Sequence, residues 1–205
     1  MYKSFIALCA LCLMLSGCVG AAVGAGAAVG VAAAQEGGVR GAVTDAAIRV
    51  QITDLWLKKG FDFYRRLDMT VREGRVLITG TSPSADARVE AIRLAWQADG
   101  VRQVINEISV ANSNGLVGYS TDLWITGNLK SRLLLDKYVQ SINYTVDTVS
   151  GVVYLMGVAQ NQKELDRVTD YARHLRGVKN VVSYVRLRGE TPPGVQSPTG
   201  APVSG

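Results

Sequence analysis

The chain has 205 residues and a formal net charge of +5 at neutral pH, with 48% hydrophobic residues. One histidine and three cysteines are a thin inventory for metal or nucleophile chemistry, and Cys9, Cys12 and Cys18 all fall in the first eighteen residues. That distribution excludes thiol catalysis and cysteine-based metal sites from the body of the chain.

At the N-terminus, Lys3 is followed by an unbroken apolar run from Phe5 to Leu15 and then by small residues at Ser16 and Gly17. Charge, apolar run and small residues in that order predict a signal peptide over residues 1–17. Leu15-Ser16-Gly17-Cys18 resembles the bacterial lipoprotein box. The resemblance implies that Cys18 is acylated and becomes the first mature residue, so that Cys9 and Cys12 leave with the signal. Several acyl chains on one cysteine exceed the weak holding of a single chain, so the anchor would be stable. Val19 stands where Asp often marks inner-membrane retention in such proteins, which implies the outer membrane. An uncleaved membrane helix is the alternative, since residues 5–34 are apolar throughout. Residues 18–43 form the lipidated cysteine and a Gly/Ala-rich tether. Gly20-x-x-x-Gly24 and Gly26-x-x-x-Gly30 within it also fit a packed membrane helix.

From Gly41 to Arg188 the sequence repeats at an offset of 77 without gaps. Asp45 matches Asp122, Ile48 matches Ile125, Gly74 matches Gly151, Gly80 matches Gly157, and Gly100 matches Gly177. Two domains follow, over 44–110 and 122–188, joined by a short Asn/Ser/Gly-rich linker at 111–121. The shortness of that linker predicts that the two stay close. Residues 189–205 hold four of the five prolines and read as a disordered tail.

Each repeat parses in the same order. Asp45 and Asp122 are N-cap candidates for a first helix. Its buried face carries Ile48, Ile52 and Trp56, or Ile125, Leu129 and Leu133. Leu67, Met69 and Val71 alternate as a strand, as do Tyr144, Val146 and Thr148. Gly74 and Gly151 turn the chain, and Val76 with Ile78, or Val153 with Leu155, return it. Amphipathic helices are predicted over Ser84–Asp99 and Gln162–Arg176, stopped by Gly100 and Gly177. Val101–Val110 and Val178–Leu187 form the last strands. The fold class is α+β: two α-β-β-α-β units, each a three-stranded mixed sheet covered on one face by two helices, with the last two strands paired in parallel.

The hairpins Gly74-Arg75-Val76-Leu77-Ile78-Thr79-Gly80 and Gly151-Val152-Val153-Tyr154-Leu155-Met156-Gly157 resemble those of the BON domain. So do Gly100-Val101-Arg102-Gln103-Val104 and Gly177-Val178-Lys179-Asn180-Val181. The first hairpin departs slightly, with Ile78 in place of the expected Leu. The whole of residues 1–188 resembles dual-BON outer-membrane lipoproteins of the DolP/YraP type. That resemblance implies a non-catalytic envelope protein, facing the periplasm, that binds anionic phospholipid through its second domain and supports outer-membrane integrity.

The residues themselves favour the same surface. After the aligned Asp, the first repeat has Ala46 and Ala47, whereas the second has Leu123 and Trp124. At about 100° per residue with Ile125 at zero, Ile125, Leu129, Arg132 and Leu133 make the core stripe, while Leu123, Trp124, Lys130 and Leu134 point elsewhere. A Trp among apolar and basic groups suits a bilayer interface. Ser120–Arg188 has ten basic against six acidic residues, whereas Thr44–Val110 has ten against nine. The candidate phospholipid-binding residues are therefore Leu123, Trp124, Lys130, Arg132, Leu134 and Lys137. Three alternatives stay open: Trp124 packs against the other domain, the face docks an outer-membrane assembly or cell-wall protein, or the protein is a pure spacer. Trp56 and Trp96 are assigned to the core or its edge.

His174 lies opposite the Leu165, Val168, Ala172 stripe of its helix, and Gln97 replaces it in the other repeat. An exposed, incidental histidine is expected. Nothing in the motifs implies catalysis, a metal or a cofactor, and export argues against a nucleic-acid partner.

Overall fold

The computed structural model describes residues 34–35, 37–60, 65–110, 119–192 and 194. The expected signal peptide, Cys18 and the expected tether as far as residue 33 lie outside the described residues. So do 111–118 of the linker and 195–205 of the tail.

Helix α1 (Gly38–Lys59) buries Ile48, Ile52 and Trp56, one residue per turn, and leaves Arg49, Val50 and Asp54 between them exposed. The Trp56 indole Nε1 donates to the Ala91 carbonyl at 3.2 Å, so its one polar atom is satisfied inside the core. Strands β1 (Leu67–Arg72) and β2 (Arg75–Ser82) form an antiparallel hairpin in which Val71 pairs with Val76. Helix α2 (Ala85–Ala95) carries the chain to β3 (Gln103–Val110), which pairs with β2 in parallel. The second repeat copies this with α3 (Tyr119–Leu135), β4 (Tyr144–Val149), β5 (Val152–Ala159), α4 (Gln162–Arg173) and β6 (Asn180–Leu187). Each sheet has its strands in sequence order. The expected α+β architecture of two mixed sheets, each with two helices on one face, is what the structure has.

The two hairpin loops are two residues long, with φ of 54° at Glu73 and Ser150, 73° at Gly74 and 81° at Gly151. Positive φ at both central residues is the turn that matches strand twist. A side chain at Gly157 would meet the Asn143 carbonyl oxygen at 1.9 Å, and one at Gly80 the Arg66 oxygen at 2.3 Å. The repeated glycine thus marks where β2 and β5 pass too close to a neighbouring backbone for a Cβ.

Three expectations are corrected. Asp45 and Asp122 cap no helix: α1 begins at Gly38 and α3 at Tyr119. Their carboxylates instead accept from the hairpin amides. Glu73 and Gly74 donate to Asp45 at 2.9 Å each, and Ser150 and Gly151 donate to Asp122 at 2.8 Å each. An Asp before an apolar stripe signals a free acceptor, but chain distance alone cannot say which amides reach it. Gly100 and Gly177 have φ near 90°, yet α2 and α4 end earlier, at Ala95 and Arg173. Each glycine serves a separate turn, closed by Val101 N donating to Ala98 O and by Val178 N donating to Leu175 O. Arg132 is exposed rather than part of the core stripe, and its Nε donates to Asn128 Oδ1 at 2.9 Å.

The helix-free faces of the two sheets pack on each other. Leu77 and Ile105 from one sheet meet Tyr154 and Met156 from the other, flanked by Val149, Val152, Val182 and Tyr184. That is why β2 and β5 are buried on both sides. Polar groups rim the contact. Arg72 donates to the Ile142 carbonyl and to Thr145, Thr79 donates to Asp147 at 2.5 Å, and Tyr184 donates to Glu107. Arg186 pairs with Glu73 at 2.6 Å. The molecule is thus four layers, helix, sheet, sheet, helix, with the helices outermost.

Candidate functional site

Layering fixes which side chains α3 can present. Ile125, Leu129 and Leu133 fill the core of the second domain. The residues on the opposite side of the helix have nothing above them. Leu123 is 55% exposed, Trp124 49%, Leu134 73% and Leu135 85%. Trp124 is therefore not the interdomain packing residue that the short linker allowed for. Leu123, Trp124, Gly127, Asn128, Ser131, Arg132 and Leu135 line one shallow groove on this face.

The basic residues border the apolar ridge rather than joining it. Arg132 lines the groove itself. Lys130 is exposed and is not among the residues lining the groove. Lys137 lies beyond the helix end, with its Nζ 5.0 Å from the centre of the Tyr138 ring. Arg167, from α4, approaches the same ring at 5.1 Å. The structure thus brings Leu123, Trp124 and Arg132 to one groove, leaves Leu134 exposed outside that groove's lining, and sets exposed Lys130 and Lys137 elsewhere on the helix and beyond its end.

A polar lock holds that end in place. Asp136 accepts from Tyr138 N and the Tyr171 hydroxyl at 2.8 Å each, and from Arg167 at 3.4 Å. The Tyr138 amide foremost, then the Tyr171 hydroxyl, hold its carboxyl below the usual carboxylate range. Buried Glu164 accepts from Gln140 N and Gln160 N at 2.7 Å each, which ties the segment after α3 to the start of α4. The equivalent residue in the first repeat is Ala87, so this tie belongs to the second domain.

Sequence reasoning missed Leu135 and Tyr138, both strongly exposed. Leu135 was within reach of it: at about 100° per residue it falls within about 20° of Trp124. Tyr138 follows the helix end, where the periodicity no longer applies, and Arg167 is distant in sequence.

A model of the BON domain matches residues 44–112 and 121–189. The chain belongs to the BON-domain family. Its two BON domains and its relatives bear out the resemblance to dual-BON proteins of the DolP type. A protein of Anaplasma centrale described as "Uncharacterized protein in gshII 5'region" is 42% identical over 147 residues, 71% of this chain and 96% of its own length. The outer membrane lipoprotein DolP of Haemophilus influenzae is 28% identical over 88% of this chain and 93% of its own length. A solved structure of the C-terminal domain of CdsD, a structural protein of the type III secretion system of Chlamydia trachomatis, is 16% identical. It covers 67% of this chain and 64% of its own, at a TM-score of 0.28.

Between the two BON domains the outer helix faces differ sharply. Ala46 and Ala47 stand in the first where Leu123 and Trp124 stand in the second. Among the described residues no helix is long and apolar enough to cross a membrane, and no group of three His, Cys, Asp or Glu is placed to hold a metal. His174 is exposed, with its Nδ1 2.8 Å from the Asp170 carbonyl oxygen one turn back.

Proposed function

We propose that this is a non-enzymatic protein of the bacterial envelope, anchored to the outer membrane through acylated Cys18. It binds anionic phospholipid through the outer face of α3 and supports outer-membrane integrity. The observation that carries the proposal is the exposed ridge of Leu123, Trp124, Leu134 and Leu135 bordered by Lys130, Arg132 and Lys137. An apolar ridge on an outermost helix can sink to headgroup depth without rearranging the fold, with the indole at the interface. Each flanking cation near an anionic surface adds about 1 kcal/mol. The Haemophilus relative, an outer membrane lipoprotein by name, supports the compartment.

The test is co-sedimentation of the chain lacking residues 1–18 with phosphatidylglycerol vesicles and with phosphatidylcholine vesicles. Binding is expected to the first set and to fall steeply as salt rises. Trp124→Glu is expected to lower it at least tenfold while the melting temperature holds. Unchanged sedimentation of that variant rejects the proposal. Loss of a co-purifying envelope protein, with lipid binding intact, would instead make the face a protein dock.

A further inference from the structure

The first BON domain also has an unpartnered helix face, of a different kind. Val39, Val43, Val50 and Leu57 of α1 are all exposed. They are spaced by four, seven and seven residues, so at about 100° per residue they fall within about 20° of one line. That line lies opposite buried Ile48, Ile52 and Trp56 and points straight away from the sheet. The row is about 27 Å long at 1.5 Å per residue.

We propose that this row is a self-association surface, on which a second copy of the chain packs its own α1 in parallel. Four, seven and seven is heptad spacing, with Val43, Val50 and Leu57 at a positions and Val39, exposed Ala46 and half-buried Thr53 at d positions. Valine at a, the β-branched choice of two-stranded parallel coils, suits a pair, and the small side chains at d let the two helices approach closely without the usual leucine. The flanking charges select the partner. Exposed Arg49 takes a g position and exposed Asp54 the e position five residues on. In a parallel pair, g of one helix meets e of the next heptad in its partner. Arg49 therefore meets Asp54 of the second copy, twice by symmetry. An antiparallel pair matches g with g and e with e and leaves the two charges apart. Asp54 now engages Lys58 at 2.6 Å, but that exposed pair is weakly held and free to exchange.

A bilayer is the poorer occupant. The row has no aromatic residue, and both signs of charge flank it. The comparison with α3 sharpens this: Gly127 and Ser120 stand where α1 has Val50 and Val43, so α3 lacks the heptad row. Because α1 and α3 form opposite outer layers, pairing through α1 leaves α3 uncovered. Four exposed apolar side chains on each copy fall well short of the roughly 20–30 residues a side of a standard interface, so association in solution is weak. Confinement of anchored copies to one membrane would raise their effective concentration.

The test uses the full chain in neutral detergent. Sedimentation velocity from micromolar to millimolar protein should show a concentration-dependent dimer. Val50→Cys should cross-link under mild oxidation above the background of the unsubstituted chain, since residue 50 faces its own copy, whereas Asp86→Cys on α2 should not. Arg49→Asp should weaken association about fivefold, and Arg49→Asp with Asp54→Arg should restore it. Val50→Asp should abolish the dimer. A monomer across the whole range overturns the proposal, as does a dimer unaffected by Val50→Asp. Should Val50→Asp misfold, the charge-swap pair decides in the same way. Trp124→Glu should leave the dimer intact, which separates failure here from failure of the lipid proposal.

Discussion

Asp122 shows how much one side chain fixes. Its carboxylate accepts from two amides of a turn held at positive φ, and Asp45 does the same in the first domain. Bonds of this kind to a charged acceptor contribute about 1.5–3 kcal/mol each before relaxation, so Asp122→Ala should destabilise the second domain by about 3 kcal/mol. Denaturant melts of the variant against the parent chain read that loss. Asp147 works in the opposite sense. It sits between the sheets, and burial, foremost, holds its pKa above the usual carboxylate value, although Thr79 donates to it. In the unfolded chain it ionises at the ordinary value, so between the two pKa values the native state binds more protons. Stability from this group is thus fully present below the ordinary pKa and is lost as pH rises through the raised one. Asp147→Asn should raise the melting temperature at pH 7 and have little effect near pH 4, with thermal melts at both pH values as the check.

At the scale of elements, α3 and α1 are built on one plan and put to different uses. Both bury three large residues a turn apart, and both expose the side opposite. What differs is the exposed side chains: Leu123, Trp124 and Leu135 on α3, valines in a row on α1. Substitution on an exposed face costs little stability, about 0.5 kcal/mol or less. Leu135→Ser should therefore weaken binding to anionic vesicles, less than Trp124→Glu does, with the melting temperature unchanged. A fall in melting temperature for Leu135→Ser would show that the ridge packs on protein after all. The Asp136 and Glu164 contacts make the C-terminal end of this ridge a fixed part of the domain.

For the whole molecule, the sheet-to-sheet contact decides what faces outward. Two sheets with an apolar patch on each helix-free face bury it against each other, and the helices are left on the outside. The Arg186–Glu73 pair at the rim is largely buried, with side chains 13% and 23% exposed. Arg186→Ala would leave Glu73 short of its partner and should destabilise the domain contact by about 2 kcal/mol. Calorimetry should then show the single transition broadening or splitting, while each domain keeps its own circular dichroism. An unchanged transition would mean that the apolar contact alone couples the domains.

The sequence by itself determined the duplication, the order of elements, the core stripes and the chemical contrast between Leu123-Trp124 and Ala46-Ala47. All of these follow from local spacing: the helical period places Ile48, Ile52 and Trp56 together, and alternation does the same for Met69 and Val71. The tertiary structure alone decided that Asp45 and Asp122 hold hairpins rather than cap helices, that Arg132 is exposed, and that Trp124 faces outward. Those outcomes depend on which surfaces meet across long stretches of chain. Glu73 reaches Arg186 and Thr79 reaches Asp147 only after both sheets have formed and packed, and no local period encodes a contact of that kind.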